Sequence, residues 1–180
     1  PSNAFRIAYN IPLLMWGPNH ISAGQTRSEF FSSMDLYATL LNYLGLGREI
    51  DSTSIPSRDF SHILKGQSGD WGNEIFIEQE ETRAYRTDGW TYVKRFHGSE
   101  TYQIEDELYD TSRDPDEREN LSGNPDFQET ERAFSDKLDA YFAKYANPKF
   151  DTWNGGTVKS NTSRPWLWKD AWGEDWSPTA

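Results

Sequence analysis

The stretch TRAYRTDGWTYVKRF, residues 82–96, decides the fold. Two runs rich in β-branched and ring-bearing residues flank Asp88-Gly89, a strong short-range signal for a β-hairpin. In the second run Trp90, Tyr92, Lys94 and Phe96 fall on one face, and Thr91, Val93 and Arg95 on the other. Upstream, residues 74–80 (EIFIEQE) read as a further strand, apolar in its first half. Downstream, residues 107–111 (ELYDT) read as a fourth, short one. Asn124-Pro125 then opens a helix, with Asn as N-cap and Pro at the first helical position. Phe127, Phe134, Leu138, Tyr141, Phe142 and Tyr145 form its apolar stripe, and Asn147-Pro148 stops it. The expected class is therefore α+β, a small antiparallel sheet packed by a long carboxy-terminal helix.

Working outward, Ile11 to Trp16 (IPLLMW) is an apolar run ended by Gly17-Pro18, the pattern of a strand buried on both faces. Ser33 is placed to cap a helix through MDLYATLLNYL, with Leu36, Tyr37, Leu40, Leu41 and Leu44 as its apolar face and Gly45 as its terminator. Residues 47–72 are turn-rich. Residues 149–180 carry five Trp (153, 166, 168, 172 and 176) among Gly, Ser, Thr, Asn and Pro, without periodicity. They read as an extended arm that pins its rings onto another surface. Three parts follow: 1–72 with a strand, helix and loop, 73–148 with the sheet and helix, and 149–180 as the arm.

Composition narrows the function. Of 180 residues 29 are acidic and 18 basic, a formal charge of −11. Such a surface repels phosphate backbones and anionic headgroups, which argues against nucleic-acid and membrane roles. Cysteine is absent, so disulfides and thiolate metal sites are excluded. No stretch approaches the roughly 18 apolar residues of a membrane span. The chain opens Pro-Ser-Asn-Ala without an initiator Met and reads as a piece of a longer protein.

Three segments, in order, resemble one family. IPLLMWGPNHISAGQTR followed by SSMDLYATLLNYLGL is similar to the pattern hPLhhxxPG and GxxxxxhhSxhDLxPTLL, with Ala38 where Pro is frequent. TRAYRTDGWTYVKR resembles the strand pair RxhRTxxYKYh. ELYDTSRDPDERENL resembles ELYDLxxDPxExxNL. The family is the formylglycine-dependent (type I) sulfatases of the alkaline phosphatase superfamily, and the resemblance covers about residues 5–145. It implies that the strand and helix of 1–72 belong to a larger sulfatase α/β domain. It implies hydrolysis of a sulfate ester, expected on a carbohydrate, with this chain supplying closure of the site and substrate selection. A formylglycine made in a C/S-x-P-S-R motif and a calcium ion are expected in the amino-terminal catalytic portion, which is the expected partner. A homo-oligomer is compatible with the sequence, and the resemblance suggests a periplasmic or secreted location. Two other readings stay open. One is the tail of a related phosphodiesterase or phosphonate hydrolase, the other a non-enzymatic binding module with the same fold.

Ser54-Ile-Pro-Ser-Arg58 matches the S-x-P-S-R letters but lacks their context. It is followed by DFSHILKG, similar to a later family loop of the form GRSFxxxLxG, and no Asp-Asp pair precedes it. No catalytic residue and no metal ligand is assigned to this chain. His20, His62 and His97 lack ligand spacing. The acidic groups Glu78, Glu80, Glu81 and Glu105, Asp106, Glu107 lack the form of a calcium loop and read as solvated surface. Candidate substrate contacts are Gln79 and Arg83 at one strand connection, Arg95, His97 and Glu100 at the other, and Trp166 and Trp168 in the arm. Arg and His suit sulfate and hydroxyl oxygens, and aromatic faces suit sugar rings. The bland reading of Arg83, Arg86 and Arg95 is pairing with carboxylates on a solvated sheet. In DPDERENL, Asp114-Pro115 favours a turn, Asn120 can bond nearby backbone and Leu121 can plug the core, the marks of a structural brace. The sequons at Asn120 and Asn161 read as incidental.

Overall fold

The computed structural model describes residues 4–51, 53–158 and 164–178. They form two compact units, one of residues 10–75 and one of residues 76–180 together with the first nine. The start of the chain thus belongs with the sheet, and the Trp-rich arm is part of the same unit rather than a separate part.

The sheet unit follows the hairpin. β1 (Glu74–Gln79), β2 (Thr82–Thr87), β3 (Trp90–Arg95) and β4 (Glu107–Asp110) lie in the order β1-β2-β3-β4. β2 and β3 pair antiparallel with Thr82 opposite Arg95 and Arg86 opposite Thr91, so Asp88-Gly89 makes the connection. β3 and β4 pair antiparallel with Trp90 opposite Asp110. Glu80, in the two-residue link from β1 to β2, takes a left-handed φ of 48°.

Asn124 accepts a hydrogen bond from the Asp126 amide (3.0 Å), and a 3-10 turn over Pro125–Phe127 leads into α4, Gln128–Tyr145. Its stripe meets one face of the sheet. Leu138 and Phe142 pack with Tyr85, Tyr92 and Leu108, joined by Phe76, Trp90, Phe127, Phe134 and Tyr141. Phe76 and Tyr141 stack with ring centroids 3.8 Å apart. Lys94, on the same face, reaches across to Asp139. The other face is not left to solvent. Ala84 and Val93 are sealed by Ala4, with Tyr9 of α1 (Arg6–Tyr9) and Ile77 beside them. With both faces covered, every residue of β2 from Thr82 to Arg86 is buried.

In the other unit α2 spans Asp35–Tyr43 and α3 spans Ser61–Leu64. Ser33 does not cap α2: the residue before the helix is Met34, without a side-chain cap, and Ser32 and Asp35 bond the turn that leads in. The Asp35 carboxylate accepts from the Ser32 amide (2.8 Å), and the Ser32 hydroxyl accepts from the Met34 amide (3.3 Å). Gly45 ends the helix with φ 75°. The expected leucine face is not the packed one. The helix buries Asp35, Ala38 and Thr39 against residues 57–60, and leaves Tyr37, Leu40 and Leu44 exposed. Hydrogen bonds decide this: the Ser57 hydroxyl accepts from the Ala38 amide and donates to the Met34 carbonyl, and Thr39 accepts from the Phe60 amide. The run 11–16 is likewise not a strand here. It is irregular, with Leu14 93% and Trp16 86% exposed. A strand exists only with a ladder partner, and the four-stranded sheet does not take this segment.

Truncating the helix stripe tests the sheet–helix core. Leu138→Ala should cost about 2–5 kcal/mol by the lost transfer and the cavity. Arg132→Ala, on the exposed face of α4, should stay within about 0.5 kcal/mol. Urea unfolding of both variants makes the comparison. Lys137 is not a suitable control, because its ammonium donates to the Tyr85 hydroxyl at 2.9 Å.

Candidate functional site

The antiparallel register gathers most of the candidate residues at one end of the sheet. The β1–β2 link (Glu80, Glu81), the last residues of β3 and the start of β4 meet there, since Thr82 lies opposite Arg95 and Val93 opposite Glu107. Most of the charge at this end is internal. Arg83, 5% exposed, donates to Glu78 (2.8 Å) and Asp151 (2.7 Å), and its guanidinium lies 4.0 Å from the Phe142 ring centre and 4.6 Å from that of Trp153. Arg95, 3% exposed, pairs with Glu107 and donates to the Thr82 hydroxyl at 2.6 Å. Both cations are spent on the protein itself and are closed to a ligand. The arginines do pair with carboxylates, but inside the fold rather than on a solvated sheet.

Farther along β2, Arg86 donates to Glu117 (2.7 Å) and to the Ala4 carbonyl (3.1 Å). Glu117 also accepts from the Thr91 hydroxyl (2.8 Å) and the Arg6 amide (2.7 Å). Burial pushes the Arg86 guanidinium below its ordinary range, and the Glu117 carboxylate opposes that shift. Glu117 is held with φ 55°, a left-handed conformation that a β-carbon disfavours. It is the first E of DPDERENL, so the brace does more than turn the chain: it delivers a counterion beneath the sheet. The rest of the motif behaves as the sequence suggests. Asp114 accepts from the Arg118 and Glu119 amides, Asn120 accepts from the Leu108 and Ser122 amides, and Leu121 packs on the core. With its amide committed to the Asp106 carbonyl as well, Asn120 serves the brace; Asn161 lies outside the described residues.

The acidic groups are corrected by the same pairs. Glu81 is fully buried and accepts from Arg164 and from the Tyr102 hydroxyl (3.0 Å). Glu107 serves Arg95. Asp106, with 19% of its side chain exposed, accepts from the Arg95 amide (2.8 Å) and the Tyr92 hydroxyl (2.7 Å). Burial, and then the Asp106 carboxylate, push the Tyr92 hydroxyl far above its ordinary range. A carboxylate next to two strands that together bury three arginines is a counterion before it is a surface group.

The arm is not extended throughout. α5 spans Pro165–Trp172, and the rings enter the chain's own core: Trp168, fully buried, with Leu167, Trp176, Phe96 and Tyr102, beside Trp153. Its indoles tie loops together, Trp153 donating to the Glu80 carbonyl (2.8 Å), Trp172 to Thr152 (2.7 Å) and Trp176 to Gly156 (3.0 Å). Asp170 accepts from the Ser99 hydroxyl and from Thr101, and these hydrogen bonds hold its carboxyl below the usual range. Trp168 therefore presents no face to a ligand, while Trp166 is 51% exposed. Phe96, assigned by alternation to the α4 face, instead anchors this clasp, because the strand ends at Arg95.

Four candidates remain on the surface: Gln79, which accepts from the Tyr9 hydroxyl at 2.6 Å, Trp166, His97 and Glu100. The His97 ring nitrogen Nε2 lies 2.9 Å from Asp106 Oδ1. Glu100 is exposed on the loop that follows. Among the described residues no three His, Asp or Glu side chains converge as a metal site, so no step through a metal is derived from this chain. In the other unit Ser57 and Arg58 of the SIPSR segment hold the start of α2: Arg58 pairs with Asp35 at 2.9 Å and lies 4.1 Å over the Trp71 ring, and Ser54 donates to Asp51. α3 starts only at Ser61, so the segment does not open a helix.

The sheet-and-helix architecture recurs in larger proteins. One is a protein solved with its substrate D-glucosamine-2-N,6-O-disulfate, 21% identical with TM-score 0.56, covering 71% of this chain and 27% of that one. Another is the phosphonate monoester hydrolase of Agrobacterium radiobacter, 19% identical with TM-score 0.53, covering 71% and 28%. A third comes from the glycosaminoglycan-metabolism locus of Bacteroides thetaiotaomicron, 17% identical with TM-score 0.54, covering 74% and 30%. At these identities the likeness concerns the fold, and the chain spans about a quarter to a third of those proteins. No curated protein sequence matches. The class is that of a sulphohydrolase carboxy-terminal domain. Residues 4–144 match the family described as N-sulphoglucosamine sulphohydrolase, C-terminal, and the chain belongs to that family.

Two sets of variants test the buried network and the clasp. Glu117→Ala leaves the Arg86 cation buried and unpaired and should cost about 3–5 kcal/mol. Trp168→Ala should cost about 3–5 kcal/mol, and Trp166→Ala should stay within about 0.5 kcal/mol. Denaturant midpoints at constant m-value report all three.

Proposed function

We propose that this chain is the carboxy-terminal part of a sulfuric ester hydrolase that acts on a sulfated carbohydrate. Its own contribution is closure of the site and selection of the substrate, and the reacting groups lie on the rest of the enzyme. The observation that carries this reading is the family match over residues 4–144. A similar fold accompanies a sulfated glucosamine in one solved neighbour. The exposed apolar residues Leu14, Trp16, Leu40 and Leu44 fit the same reading, since such surface is normally covered by protein. The formylglycine and calcium of the resembled family would belong to that covering portion. Of the proposed substrate contacts, Gln79, His97, Glu100 and Trp166 are the ones with side chains in solvent. A location outside the cytoplasm, periplasmic or secreted, accords with a polymeric sulfated substrate; among the described residues no helix is long and apolar enough to cross a membrane. A phosphonate monoester hydrolase with the same fold supports the second reading, phosphoryl chemistry on a shared scaffold.

The full-length protein decides between them. Sulfate release from N- or O-sulfated glucosamine saccharides is the expected result. Turnover of a phosphonate monoester without sulfate release would establish the second reading, and neither activity would leave a non-enzymatic module. The present chain alone is expected to hydrolyse no aryl sulfate, with or without calcium. Turnover by the pure chain that disappears in Ser54→Ala would overturn that expectation.

A further inference from the structure

His97 is held as ligand-facing imidazoles are held, and neither the fold nor the core requires it. Its ring is half exposed, at 51%, just past the end of β3. Asp106 Oδ1, 2.9 Å from Nε2, is itself fixed: the Arg95 amide donates to the same oxygen at 2.8 Å, and the Tyr92 hydroxyl donates to Oδ2 at 2.7 Å. Asn120 secures the Asp106 carbonyl at 3.0 Å. A carboxylate only accepts, so the proton of a neutral His97 must sit on Nε2, and the lone pair of Nδ1 points away from Asp106. Nδ1 has no hydrogen-bond partner among the described residues. A second ring nitrogen oriented by a fixed, partly buried carboxylate is the arrangement that prepares the first for a ligand.

The surroundings specify the ligand. Arg83 and Arg95 are buried and paired, so no exposed guanidinium of the candidate set remains for an anion. Glu100 and Glu105 are exposed on the loop between β3 and β4. Carboxylates and a neutral imidazole nitrogen all accept hydrogen bonds, and their field repels sulfate. What they suit is a donor without charge, the hydroxyl of a sugar ring. We infer that His97 is a specificity-determining residue that accepts a hydrogen bond from a sugar hydroxyl through Nδ1, with Asp106 as its positioning residue. The assignment rests on the carbohydrate reading above and deepens it: the unsulfated part of the saccharide is read here, and the sulfate elsewhere.

Two measurements on the full-length protein test it. In steady-state kinetics His97→Ala should raise KM for a sulfated saccharide about tenfold, the loss of one ligand hydrogen bond, with kcat and the KM for a small aryl sulfate unchanged. His97→Asn, whose amide reaches the place of Nδ1, should recover part of the loss. Asp106→Asn should resemble His97→Ala, and the double variant should be no worse than either, since the two act as a unit. Because His97 is exposed, its removal does not threaten the fold. An active enzyme whose saccharide KM is indifferent to His97→Ala would overturn the inference. Imidazole 15N shifts, which need no turnover, form the second measurement. Above the imidazole titration, His97 should be the Nε2-protonated tautomer, and N-acetylglucosamine should shift its Nδ1 while leaving His20 and His62 unmoved. An Nδ1-protonated His97, or no shift at saturating sugar, would sink it. Absence of sulfatase activity together with the Nδ1 shift would reject the proposed reaction and keep the binding residue.

Discussion

Three guanidinium groups on two adjacent strands are taken out of water, and the rest of the sheet unit is arranged around that cost. A buried cation is tolerated only where a carboxylate and further hydrogen bonds replace its hydration. Arg83 draws in Asp151 from beyond α4, Arg86 draws in Glu117 from the turn after β4, and Arg95 draws in Glu107 from β4 itself. Each partner comes from a different part of the chain. The pairs therefore fix where the loops run, independently of the apolar contacts. They also explain why Glu117 and Asp151 lie inside in a chain of net charge −11.

The apolar work is divided between two clusters that flank this polar layer. α4 covers Tyr85, Tyr92 and Leu108, and α5 closes over Phe96 and Tyr102. Arg83 lies between them, with Phe142 from the first helix on one side and Trp153 from the arm on the other. A guanidinium between two rings keeps its planar faces on apolar surface while its edges reach Glu78 and Asp151. The arm is thus joined to the sheet by charge, by indole hydrogen bonds and by ring packing together. That is why a segment composed like a loop is built into the core. The same closure leaves His97 and Trp166 at the surface while burying their neighbours, which separates groups able to meet a ligand from groups that only hold the site.

Local signals in the sequence determined the strands, the hairpin and α4, because alternation, Asp-Gly and an Asn-Pro cap act within a few residues. They determined the brace as well: Asp114 and Asn120 bond amides only two to five positions away, or a strand that the motif itself contains. The resemblance carried by ELYDTSRDPDERENL and TRAYRTDGWTYVKR led to the family for the same reason, since those segments are the brace and the arginine strands. What only the tertiary structure decided is long in range. Alternation says that Arg86 and Arg95 share a face, but not that Ala4, Arg6 and Glu117 will cover it. Counting leucines picks an apolar face for α2, yet the Ala38 amide donates to Ser57 and the Asp35 carboxylate accepts from Arg58, so the opposite face was packed. An apolar run at 11–16 has the composition of a strand, but a strand requires a partner, and composition cannot supply one. Burial separated Trp168 from Trp166, two residues apart and alike in sequence, because on a helix those positions point about 200° apart, one into the Phe96 cluster and the other into water.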